Sequence, residues 1–98
     1  MAVTLEPRGD GRFALQGALN LATVGALLKE SRRLFQQQPP DWIDLAGVSH
    51  CDSAGVALLV EWLRQARIEG RELRFTNPPP QMREIIKVTD LDALLPLG

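Results

Sequence analysis

The chain has 98 residues, of which 45% are apolar and 23% charged, with a formal net charge of −1. That length holds one hydrophobic core, so a single domain over residues 1–98 is expected, and the balance excludes both a disordered chain and a strongly basic nucleic-acid binder. Cys51 is the only cysteine, which rules out an internal disulfide. The opening "MAVTLEPRGDGRF" lacks the regions of a signal peptide, and the longest apolar run, Val56 to Val60, is far too short to cross a bilayer. A cytoplasmic protein is expected, one that reaches a membrane only through a partner complex.

Along the chain, "AVTLEP" and "RFALQG" alternate around Gly9, Asp10 and Gly11, and Asp-Gly between two short apolar runs predicts a β-hairpin. The period then becomes helical, with Val24, Leu27, Leu28, Leu34 and Phe35 on one side. Asn20 or Thr23 is the expected cap, and Pro39 and Pro40 end the helix. "DWIDLAGV" reads as a central strand buried on both faces. Ser53 to Glu69 is the clearest helix, closed by Gly70. "RELRFT" is a strand, and "NPPPQMREIIKVTD" is a turn and a helix opening at a proline, with Met82, Ile85 and Ile86 facing the core. "LDALLPLG" predicts a short terminal helix packed back on the body. The order β-β-α-β-α-β-α-α implies right-handed crossovers, with strands three and four parallel and helices against the sheet. Arginines 64, 67, 71 and 74, interleaved with Glu61, Glu69 and Glu72, form a solvated, salt-bridged surface.

The stretch "VSHCDSAG", residues 48–55, gathers His50, Cys51, Asp52 and Ser53. A catalytic triad needs side chains that converge from different places, whereas sequence neighbours diverge, and the pattern G-x-S-x-G is absent. Consecutive His50, Cys51 and Asp52 have the wrong spacing for metal ligands, and no Walker lysine accompanies Gly55. Neither catalysis, a metal nor any cofactor is expected. The stretch reads instead as a helix start. Asp52 or Ser53 accepts backbone N–H bonds, His50 is a solvated loop residue, and Cys51 is a small buried hydrophobe.

"WIDLAGVSHCDSAGVALLVEWLRQARIEGRELRFTN" resembles the heart of a STAS domain, the fold of anti-sigma-factor antagonists and sulphate-transporter tails. Ile43-Asp44-Leu45 matches that family's Asp-bearing strand segment, Asp52-Ser53-Ala54-Gly55 its helix start, and "LQGALN" its Gly-x-Leu turn. The resemblance implies an α/β STAS fold, a small mixed four-stranded sheet with parallel central strands packed by helices. Two subtypes fit. "LLVEWLRQAR", "LRFTNPPPQMREI" and the "LLPL" ending look more like the MlaB-like subunit of a phospholipid-transport ABC complex. That likeness implies a non-enzymatic chain which binds and stabilises an MlaF-like ATPase subunit, and through it the permease, in maintaining outer-membrane lipid asymmetry. No direct binding of lipid is implied. The alternative is an anti-sigma-factor antagonist, partner of an anti-sigma kinase and switched by phosphorylation of Ser53.

Helical periodicity places Val56, Leu59, Val60 and Leu63 on the core face of the Ser53 helix. Ala54, Leu58 and Trp62, at i, i+4 and i+8, then form a ridge away from the core centre. Ser53, Ala54, Leu58 and Trp62 are the expected partner contacts, with Asp52 shaping the helix start. Packing of Trp62 under the first or last helix is the competing arrangement.

Overall fold

The computed structural model describes residues 3–91 and 93–96. β1 (Thr4–Gly9) and β2 (Arg12–Leu19) form the expected hairpin. Asp10 and Gly11 fill its two-residue turn at φ 54° and 76°, the left-handed pair that a type I′ turn requires. α1 (Val24–Gln37) crosses over to β3 (Trp42–Cys51), which lies parallel to β2. α2 (Ser53–Ile68) leads to β4 (Arg74–Thr76), parallel to β3, and α3 (Pro80–Val88) follows. The sheet order is β1-β2-β3-β4. This is the mixed four-stranded sheet with parallel central strands that the sequence predicted.

Local chemistry sets the boundaries. α1 stops before Pro39-Pro40, whose rings cannot continue a helix. α2 ends in a Schellman motif: Gly70 sits at φ 71°, the Arg71 N–H donates to Ala66 O, and the Gly70 N–H donates to Arg67 O. α3 begins with Pro80 in its first turn.

Three expectations are corrected. β3 is buried on one face only: Ile43, Leu45, Val48 and Cys51 are sealed, while Ala46, Gly47, Ser49 and His50 are exposed. The parallel pair is therefore covered by helices on one side, and the other side of the sheet is open. His50 belongs to β3 and not to a loop, though it is solvated as expected. The terminal stretch forms turns where a helix was expected. It does pack back: Leu95 is buried, and Pro96 O accepts the Phe75 N–H. Of "LDALLPLG", Asp92, Leu97 and Gly98 lie outside the described residues.

The core lies between the covered sheet face and the helices. Phe13 of β2, Phe35 of α1 and Trp62 of α2 stack edge-to-face in series, with centroids 5.1 and 5.7 Å apart. The Trp62 indole N–H donates to Ser31 Oγ at 2.8 Å, and that hydroxyl donates to Leu28 O at 2.7 Å. Ser31 is thus a buried polar residue whose hydrogen bonds are made.

Candidate partner-docking site

β3 ends where α2 begins, beside the end of β2. The Asp52 N–H donates to Leu19 O at 3.1 Å, tying the junction to β2. Gly55 makes this approach possible: a Cβ there would lie 2.7 Å from Cys51 Sγ and 2.8 Å from Leu19 Cβ. The Cys51 N–H donates to Gln81 Oε1 of α3, which braces the junction from the other side.

The helix start is as the sequence implies, but the two candidate caps divide the work. Asp52, in extended conformation, accepts the Ala54 N–H through Oδ1 at 2.8 Å. Its carboxylate also complements the positive end of the helix dipole. Ser53 is exposed, and its hydroxyl makes no hydrogen bond among the described residues. The fold consumes Asp52 and leaves Ser53 free. At α1 the caps fail differently. Thr23 makes no side-chain cap. It accepts the Asn20 N–H and donates to Ala18 O, while Asn20 Oδ1 accepts the Ala22 N–H, so both residues lock the β2–α1 loop.

The four polar neighbours do not converge. Cys51 is buried, and burial, reinforced by the neighbouring Asp52 carboxylate, pushes its thiol up to about 11. A thiol held protonated in the core is a poor nucleophile and a poor metal ligand. Among the described residues, no three His, Cys, Asp or Glu side chains gather as a metal would require. No helix among them is long and apolar enough to cross a membrane.

The expected ridge is corrected. Leu58 is 4% exposed and Trp62 2%, so both belong to the core. The buried stripe of α2 includes Gly55, Leu59, Trp62 and Ala66, at i, i+4, i+7 and i+11. It was concealed because Gly55 and Ala66 are small and add little to an apolar pattern. The seven buried positions of α2 together centre about 70° away from the direction set by Val56, Leu59, Val60 and Leu63. The surface ridge then runs through Ser53, Ala57, Arg64 and Ile68, with Ala54 and Val60 half-buried on its flanks. Ala57 replaces Leu58 next to Ser53, and no aromatic residue stands on this face.

The comparisons with known proteins agree with this architecture. A family model described as "Mlab, STAS domain" matches residues 4–96. Among solved structures, the unphosphorylated anti-sigma factor antagonist SpoIIAA superposes with a TM-score of 0.75 at 20% identity, covering 99% of this chain and 88% of that one. The phosphorylated form of SpoIIAA, the Bacillus cell fate determinant, gives 0.70 at 21%, covering 99% and 91%. An anti-sigma factor antagonist from Mycobacterium paratuberculosis gives 0.77 at 24%, covering 98% and 83%.

Proposed function

The chain belongs to the STAS domain family, and from that premise we propose that it is a non-enzymatic subunit which works by docking on another polypeptide. The partner in this reading is the ATPase subunit of a phospholipid-transport ABC complex that maintains outer-membrane lipid asymmetry. One observation carries the proposal: the Asp52 side chain caps α2, and among the described residues the exposed Ser53 hydroxyl has no hydrogen-bond partner. It stands at a helix start fixed by β2, β3 and α3, beside exposed Ala57 and half-buried Ala54. Small side chains there let a partner approach the backbone closely. A rigid, prearranged surface also loses little conformational freedom on binding. The chain stabilises the ATPase subunit by mass action, since binding favours the folded partner. Lipid is handled by other subunits, and localisation at the inner membrane follows from the complex.

The test is co-purification with the ATPase subunit. Ser53→Arg and Ala57→Glu should each abolish it while leaving the thermal melt of the isolated chain nearly unchanged. Full binding by both variants would exclude this face.

Ser53 also supports the antagonist alternative. A phosphate placed there would meet the N-terminus of α2, where the dipole favours negative charge, while the neutral surface around Ser53 would become negative. Stoichiometric phosphate on Ser53 after incubation with an anti-sigma kinase and ATP would favour that reading over the transporter one.

A further inference from the structure

The open face of the sheet carries a second feature, remote from Ser53. Arg12, Trp42 and Arg74 are direct register partners across β2, β3 and β4, so they form a row perpendicular to the strands. Arg12 and Arg74 are then about 10 Å apart at the backbone, two strand spacings. Trp42 is 36% exposed, unlike the chain's other tryptophan, and the Arg74 guanidinium lies 5.9 Å from its ring centroid. A hollow of about 740 Å³ beside this row is lined by Arg8, Arg12, Gln16, Trp42, Asp44 and Asn77, among others. Its depth depends on Gly47, where a Cβ would lie 2.6 Å from Gln16 Cγ. Trp42 also borders a second hollow of about 530 Å³, with Asp41, Arg71, Glu72 and Arg74. The two hollows share Trp42 and make a furrow that leads from the open sheet face to the loop between α2 and β4.

The hydrogen bonds within the furrow are unevenly distributed. Most carboxylates at this end are engaged. Glu6 pairs with Arg8 and Asp41 with Arg71, while Asp44 accepts from the Ala46 N–H and from Asn77 Nδ2. Glu72, at the rim, has no hydrogen bond or ion pair among the described residues. Among the described residues, Arg12, Arg74 and the Trp42 indole N–H have no acceptor. Unspent donors on one furrow call for an anionic occupant. The spaced carboxylates Asp44 and Glu72 would repel a continuous phosphate backbone, whereas a polypeptide can set its own carboxylates against the arginines and neutral residues against Asp44. Trp and Arg are also the side chains that most often anchor protein interfaces.

We infer that the open sheet face binds an acidic, extended segment of a partner polypeptide, with Trp42 as the central anchor and Arg12 and Arg74 each receiving a carboxylate. Trp42 is the first residue of β3 and Cys51 the last, so this surface lies at the opposite end of that strand from the Ser53 junction. It stands whether or not that junction binds an ATPase.

The test uses the full chain and a peptide of alternating glutamate and threonine carrying a neutral dye, read by fluorescence anisotropy. Saturable binding is expected. It should weaken about tenfold in the Arg12→Gln/Arg74→Gln double variant and similarly in Trp42→Ala. Added salt should weaken it several-fold. A lysine–threonine peptide should not bind. All three positions are on the surface, and circular dichroism melts would show that the variants remain folded. No saturable binding of the glutamate peptide, undiminished binding by the double variant, or tighter binding of single-stranded oligothymidylate would each overturn the inference. So would a sedimenting dimer of the chain that the double variant dissolves, because the face would then belong to a second copy.

Discussion

The same substitution at two helical glycines should have opposite consequences. At Gly55, the Ala methyl would enter space held by Cys51 Sγ at 2.7 Å and Leu19 Cβ at 2.8 Å. Leu19 is fully buried and Cys51 is 1% exposed, so neither can swing into solvent. Overpacking of this kind costs about 1–3 kcal/mol, against a gain of about 0.5–1 kcal/mol from replacing a helical glycine. Gly55→Ala should therefore destabilise, by up to about 2.5 kcal/mol. At Gly25, near the start of α1, an added Cβ meets nothing within 4 Å. Gly25→Ala should stabilise by about 0.4–1 kcal/mol, mainly by narrowing the unfolded ensemble. In a domain of this size 1 kcal/mol moves Tm by about 4–8 °C, so thermal melts followed by circular dichroism resolve both signs. A neutral or stabilising Gly55→Ala would refute the claim that α2 is seated tightly on the ends of β2 and β3.

Removing the Ser31 hydroxyl in Ser31→Ala leaves the Trp62 indole N–H buried without an acceptor, and urea titration should show a loss of about 1–3 kcal/mol. Leu58→Asp places an unpaired charge in the core and should prevent folding, whereas Ala57→Asp, one residue away on the surface, should stay within about 0.5 kcal/mol of the parent. The Cys51 thiol, raised from 9.0 to about 11, should react with a disulfide reagent at pH 8 far more slowly than a free thiol. Because the folded value is the higher one, its stabilising contribution is complete below pH 9 and is lost as the pH climbs towards 11. Denaturation of the parent and Cys51→Ala at either end of that window measures the difference.

Much of the fold was legible because its signals are local. The Asp-Gly turn, the Pro39-Pro40 stop, Gly70 at the α2 terminus and Pro80 at the α3 start each act through backbone chemistry at one point in the chain. The helix-opening role of Asp52 was legible for the same reason. What the sequence concealed depends on tertiary contact. α2 packs against both the sheet and α1, so its buried arc is wide, and Gly55 and Ala66 help to define it by being small. That arc draws Trp62 inward to Phe35 and Ser31. Likewise β3 has a mixed apolar pattern that suits a doubly covered strand, but the helices all lie on one side and leave Ala46 and Gly47 open. The terminal leucines bury themselves through turns, a geometry without a helical period.

Hydrogen–deuterium exchange of this chain, alone and bound to the ATPase subunit, tests the central claim most directly. The account predicts new protection at the end of β3 and through the first two turns of α2, centred on Ser53 and Ala57, with the melt of the isolated chain unaffected by Ser53→Arg. Protection confined to α3 or to the open sheet face, with the Ser53 junction exchanging as in the free chain, would contradict it.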